Sequence, residues 1–178
     1  MECREKCPLN GVYSAFSYKD ELVKECVHAL KYQFIESLAK PLGMRLAHRV
    51  QYEDLPLCDS IIPVPLHPLR FRWRGFNQAE HLAKYFSKHL LSFHTLPIRT
   101  DLLIRRRFTA PQTKTLSRKE REKNMHNAFF FKGNPQEIQG KTFWLLDDVS
   151  TTNSTLSECA RILKKNGAKE VWGITLAR

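Results

Sequence analysis

Two adjacent carboxylates, Asp147 and Asp148, close the apolar run Thr142 to Leu146 (TFWLL) and lead straight into VSTTNST. Carboxylates at the end of a buried strand must be solvated, paired or put to use, because an isolated buried charge is very costly. From Thr151 to Thr155 every residue is a small hydroxyl or amide type. Such residues leave backbone N–H groups open to an anion at a helix N-terminus, and their hydroxyls add donors. An acid pair followed by an anion cradle suits a sugar phosphate: carboxylates accept from ribose hydroxyls while the cradle holds phosphate. Taken alone, Thr151 to Ser154 reads as an ordinary helix cap. The acidic pair in front of it turns the reading toward a ligand site.

The flanking pattern predicts the elements that would position this turn. After it, Leu156, Cys159, Ala160 and Leu163 fall on one helical face, and the run ends in Lys164, Lys165, Asn166 and Gly167, a cationic last turn with a closing glycine. VWGITL (Val171 to Leu176) reads as the last strand. Upstream, DSIIPV (Asp59 to Val64) is a short β-branched strand broken by Pro65 and Pro68. Ala79, Leu82, Ala83, Phe86 and Leu90 mark an amphipathic helix. DLLIRR from Asp101 and AFFFK (Ala128 to Lys132) are two more strand candidates. Residues 12–50 read as a mostly helical lead-in, with Leu22, Val23, Cys26, Ala29 and Leu30 at helical spacing. Apolar strands alternating with helices predict an α/β fold, a parallel sheet flanked by helices. Ligands of such sheets sit beyond the carboxyl ends of strands, where the acidic pair lies.

Composition narrows the class. The 178 residues suit one compact core with a small appended part. No apolar run approaches the ~18 residues that would span a bilayer, so no membrane insertion is expected. The start MECREKCPLN has no apolar secretory core, and five cysteines spaced irregularly are expected as reduced thiols in a cytoplasmic protein. Cys3 and Cys7 have a spacing zinc sites tolerate, but two thiolates do not fill a four-coordinate site, so zinc is not expected. Lys and Arg outnumber Asp and Glu by 29 to 18, a net charge of +11 that attracts polyanions: nucleic acid, membrane surface or a phosphorylated metabolite. Arg70, Arg72 and Arg74 alternate with Phe71 and Trp73, a pattern that stacks single-stranded bases or simply buries its rings.

With these residues in view, the chain resembles the ComF family of phosphoribosyltransferase-like proteins. The DDVSTTNST segment is similar to the ribose-phosphate loop of type I phosphoribosyltransferases. Four further segments resemble ComF proteins: LKY at Leu30 to Tyr32, IPVPLHP at Ile62 to Pro68, RGFNQAEHLA at Arg74 to Ala83 and PQTKTLSRKEREKN at Pro111 to Asn124. The terminal GAKEVWGITLAR also fits, so the resemblance runs from about residue 12 to the end.

The resemblance implies a type I phosphoribosyltransferase-like core over residues 58–178, with residues 1–57 as a helical hood. It implies binding of phosphoribosyl diphosphate with Mg²⁺ and transfer of the phosphoribosyl group to an acceptor. Asp147 and Asp148 would contact the ribose 2- and 3-hydroxyls, and Ser150, Thr151, Thr152, Asn153, Ser154 and Thr155 would hold the 5-phosphate. Leu66, His67 and Pro68 would form the diphosphate loop, with Arg74 neutralising charge nearby and His67 a candidate donor to the anion. Residues 105–124 would be a mobile basic loop in which Arg118 and Arg121 offset leaving-group charge. The alternative is a non-catalytic competence factor that binds single-stranded DNA through its basic loop.

Two departures from the family pattern stand out. Asn153 replaces the usual Gly where the tight loop is expected to need positive φ, a conformation Asn tolerates next best. In place of the four-cysteine zinc ribbon of many ComF proteins there is only the pair Cys3 and Cys7.

Overall fold

The computed structural model describes residues 7–91, 94–108 and 124–178. Its main sheet holds four parallel strands in the order β1-β6-β5-β2, namely β1 (Gly11–Phe16), β2 (Ser60–Pro63), β5 (Thr142–Val149) and β6 (Glu170–Ala177). The register sets Ile61 beside Trp144 and Asp147 beside Thr175. The helices are α1 (Glu21–Tyr32), α2 (Ala39–Val50), α3 (Pro68–Arg74), α4 (Gln78–Leu90), a short α5 (Pro135–Ile138) and α6 (Ser154–Lys165).

Both faces of the sheet are covered, which is why β5 is apolar at successive positions rather than at alternate ones. Phe143 and Leu145 pack with Leu156, Cys159, Ala160 and Leu163 of α6. Trp144 and Leu146 pack on the opposite side with Val27 and Leu30 of α1, Leu46 of α2 and Leu82 and Phe86 of α4. Gly43 lets α2 and α4 meet closely: a Cβ there would lie 2.8 Å from the Leu82 carbonyl oxygen. No helix among the described residues is long and apolar enough to cross a membrane.

The strands expected at Asp59, Asp101, Ala128, Thr142 and Val171 and the helices expected over Ala79–Leu90 and after Ser154 are present. Two expectations are corrected. Gly11–Phe16, read as the start of a helical lead-in, is an edge strand of the main sheet paired with β6. All six of its residues are half-buried, so neither face gives a clear apolar alternation. Second, β3 (Leu103–Arg105) and β4 (Phe129–Phe131) do not join the parallel sheet but form an antiparallel ribbon. Runs of three residues carry no signal of strand direction, and Leu102, Leu103 and Phe129 bury against the α6 side of the core instead. Arg118, Arg121 and Cys3 lie outside the described residues.

Candidate functional site at the carboxyl end of strand β5

Strand β5 runs further than its apolar stretch suggests and includes Asp147, Asp148 and Val149. Because successive side chains of a strand point to opposite faces, the two acids leave the strand on opposite sides. Asp147 takes the face of Phe143 and Leu145, beneath α6; Asp148 takes the face of Trp144 and Leu146, beneath α1. The acid pair thus straddles one strand end, with the two carboxyl groups still close enough to share a hydrogen bond. Both line a cavity of about 560 Å³ together with Lys31, Arg70, Arg74, Gln78 and the loop Ser150 to Thr155.

Asp148 is only 2% exposed. Its Oδ2 lies 2.8 Å from Nζ of Lys31, the basic residue in the last turn of α1. Its Oδ1 accepts from the Val149 backbone N–H. Burial, the largest single effect, would raise its pKa, but the Lys31 ammonium together with hydrogen bonds from Asp147 and the Val149 N–H holds it below the usual carboxylate value. Burial likewise works against the Lys31 charge, and Asp148, helped by Asp147, keeps that ammonium above its ordinary value. Asp147 remains partly exposed to the cavity and has no such partner of its own; its Oδ1 accepts from the Asp148 N–H. Burial and the neighbouring Asp148 charge push its pKa up to about 8. The strand end thus carries one acid that gives up its proton more readily than usual and one that holds its proton more tightly.

The loop after β5 explains the run of small residues. The Ser150 N–H still donates to the Ala177 carbonyl, continuing the ladder, and the chain then turns through Asn153 at φ 59°. The positive φ expected at this position is present. The added side chain does not fill the cradle: its Oδ1 accepts a 2.8 Å hydrogen bond from the Ser150 hydroxyl. As a result Asn153 caps nothing. Asp20, His67, Asn77 and Asn134 accept from backbone N–H groups at the starts of α1, α3, α4 and α5, whereas the starts of α2 and α6 receive no cap from the preceding side chain. The plain-cap reading of Thr151 to Ser154 fails on that point. Thr152 and Ser154 share a hydrogen bond, and the Thr155 hydroxyl leans on the Met125 sulfur.

The opposite wall comes from α3 and the loop before it. Leu66 lines the cavity, but His67 does not. Its Nδ1 accepts from the Leu69 N–H and its Nε2 donates to the Arg106 carbonyl, so the ring caps α3 at Pro68, where Pro is well placed as a first helical residue. Both ring nitrogens of His67, the candidate donor to the anion, are engaged by backbone. Arg74 is 8% exposed, donates from Nη1 to the Gln78 side chain and lies over the Tyr32 ring, while its buried Nε takes no hydrogen bond. Burial lowers the pKa of Arg70, Arg74 and Arg105, which shows how much cationic charge is held around this cavity out of water.

Sequence reasoning missed Lys31, Tyr32, Gln78 and Arg105, all of which line the cavity. The LKY triplet at Leu30 to Tyr32 was the available signal, since it puts a cation and an aromatic directly after a core leucine.

The fold and the site define an α/β protein with a charged cavity at the carboxyl end of a parallel strand. No family model matches the chain. It is 36% identical over 143 residues to "Competence protein F" of Haemophilus influenzae, covering 79% of this chain and 60% of that protein. It is 34% identical over 152 residues to "DNA utilization protein YhgH" of Escherichia coli K12, covering 82% and 63%, and 32% identical over 122 residues to "Competence protein ComFC" of Streptococcus pneumoniae, covering 67% and 48%. The chain belongs to the ComF family. It spans about three-fifths of the length of the first two relatives. Two solved structures are also similar at 20% identity. One is an allosteric regulatory enzyme of purine biosynthesis, with a TM-score of 0.45 over 79% of this chain and 25% of its own. The other is the glutamine phosphoribosylpyrophosphate amidotransferase of B. subtilis, with a TM-score of 0.44 over 78% and 26%. Scores this low do not bear on the fold, which rests on its own strand pairing.

Proposed function

We propose that this protein binds phosphoribosyl diphosphate and transfers its phosphoribosyl group. The observation that carries the reading is the uncapped start of α6, opened by Asn153 at φ 59°, in the same cavity as Asp147 and the buried Arg74. Free N–H groups at a helix start favour a phosphate. Asp147, which keeps its proton near neutral pH, can both donate to and accept from a sugar hydroxyl. Buried guanidiniums on the far wall suit the diphosphate, and in a site shielded from water they act strongly on charge that develops as diphosphate departs.

Among the described residues no group of three or more His, Cys, Asp or Glu could hold a metal ion. That donor set fits Mg²⁺ only in its common mode, in which the ligand's phosphate oxygens supply most of the coordination. When bound, Mg²⁺ would neutralise diphosphate charge. Arg74 and the α6 start would orient the ligand, and Lys31 would keep Asp148 from repelling it.

The names of the relatives, competence and DNA utilization, support a second reading as a factor that handles single-stranded DNA. The exposed rings of Phe71 and Trp73 beside Arg70 and Arg72 favour it. Calorimetry with phosphoribosyl diphosphate in Mg²⁺ tests the first reading against the second. Saturable binding that inorganic diphosphate displaces supports the sugar-phosphate site. Absence of heat, beside tight and steeply salt-dependent binding of an oligothymidylate, favours the DNA reading.

A further inference from the structure

The cavity wall beneath α1 carries more positive charge than it neutralises. Lys31 and Arg74 both line the cavity, and Arg74 lies over the ring of Tyr32, the residue next to Lys31. Among the described residues, Asp148 is the one carboxylate in an ion pair with either cation. The Nε of Arg74 is buried and makes no hydrogen bond. Two cations held largely out of water against one anion leave a charge that an incoming anion relieves.

Exposure decides which member of the Lys31–Asp148 pair meets a ligand. The Asp148 side chain is 2% exposed and its Oδ2 has almost no surface open to water, whereas the Lys31 side chain is 21% exposed. Around the carboxylate stand three donors: the Lys31 ammonium, the Val149 N–H and the carboxyl of Asp147. An acid so fully served and so covered has little left to offer a sugar hydroxyl. The ammonium has the opposite balance. It carries three hydrogens, Asp148 takes one, and among the described residues it has no second hydrogen-bond acceptor.

We infer that Lys31 contacts the diphosphate group of the ligand and that Asp148 is its positioning residue, holding the ammonium at the cavity wall instead of accepting from the sugar. This rests on the reading of the cavity as a sugar-diphosphate site and divides its labour. Asp147 and the start of α6 take the sugar phosphate; Lys31 and Arg74 take the diphosphate. A lysine stem is long and flexible, so fixing its head in advance removes that ordering from the cost of binding. Removing a negative charge from an anion site ordinarily strengthens anion binding. At Asp148 the sign reverses, because the carboxylate acts through the cation it holds.

Calorimetry on the full chain tests this with inorganic diphosphate and ribose 5-phosphate, each in Mg²⁺. Wild type is compared with Asp148→Asn and with the double variant Lys31→Met, Asp148→Asn, which lacks the ammonium without stranding a buried carboxylate. Inorganic diphosphate is expected to bind at least fivefold more weakly to Asp148→Asn and at least as weakly to the double variant. Ribose 5-phosphate is expected to change less than threefold in both. Should Asp148→Asn fail to fold by its melting profile, the loss in the double variant decides. Inorganic diphosphate that binds the folded variants as tightly as wild type or more tightly, or binds none of the proteins, overturns the assignment. A loss that falls on ribose 5-phosphate instead overturns it too and returns Asp148 to the sugar. Phosphoribosyl diphosphate titrated on wild type keeps the two readings apart: its binding leaves the sugar-diphosphate site standing in each of those cases, and its failure to bind removes both.

Discussion

Lys31 Nζ and Asp148 Oδ2 lie 2.8 Å apart and join the last turn of α1 to the end of β5. One partner is buried and the other is mostly covered, so neither charge is fully solvated without its mate. Breaking a buried pair from one side leaves an uncompensated charge and costs about 3 kcal/mol or more, whereas removing both partners can be nearly neutral. Lys31→Met is therefore expected to lower stability by about 3 kcal/mol in urea unfolding. The double variant Lys31→Met with Asp148→Asn is expected to recover most of that loss. A double variant no more stable than the single one would show that the pair does not couple.

The two acids set opposite pH dependences. Asp147 has its folded pKa raised to about 8, so between the ordinary carboxylate value and about 8 the folded state holds a proton that the unfolded chain has released. Its contribution to stability is largest below the ordinary value and is lost as pH rises toward 8. Asp148 has its folded pKa lowered, so its contribution is present above the ordinary carboxylate value and is lost as pH falls below it. Melting temperature measured from pH 5 to 8.5 is expected to fall in the wild type and to flatten in Asp147→Asn. A slope that survives in the variant would place the titrating group elsewhere.

The left-handed turn at Asn153 gives a clean comparison. Glycine adopts φ 59° without a Cβ penalty, whereas alanine pays about 1 kcal/mol for it. Asn153→Ala is expected to destabilise by about 1 kcal/mol. Asn153→Gly is expected to stay within about 0.5 kcal/mol of wild type, because relief of the turn offsets the lost Ser150 bond. Both are read from denaturant midpoints. Equal midpoints for the two variants would mean that the turn is not strained.

His67 separates a capping role from a ligand role. Its ring holds the start of α3 and the Arg106 carbonyl. His67→Ala is expected to cost about 1 kcal/mol of stability, as lost caps do, with affinity for phosphoribosyl diphosphate changed less than threefold. A tenfold loss of affinity at unchanged stability would restore it as an anion donor.

Much of this was readable in the sequence, and the exceptions have physical causes. Strand β5, the turn and α6 announce themselves because an apolar run, an acid pair, a stretch of small polar residues and a helical apolar face follow one another without interruption. The positive φ at Asn153 was likewise legible, since few residues other than Gly and Asn tolerate it. Lys31 was legible only through the LKY triplet, because helical spacing does not distinguish a lysine that will meet a carboxylate across the fold from one on a solvated helix end. The unequal surroundings of Asp147 and Asp148 were hidden by adjacency, since only the continuation of the strand through both shows that one meets Lys31. The sequence does not separate the two roles of His67, because a histidine before Pro68 caps a helix and reaches an anion with the same atoms.

The central claim is that the end of β5 and the start of α6 receive a sugar diphosphate, and isothermal calorimetry on Asp147→Ala beside the wild type tests it most directly. Saturable binding of phosphoribosyl diphosphate in Mg²⁺ is predicted for the wild type, weakened at least tenfold in the variant while its fold is retained. Equal affinity in the two proteins, or no binding to either, would contradict it.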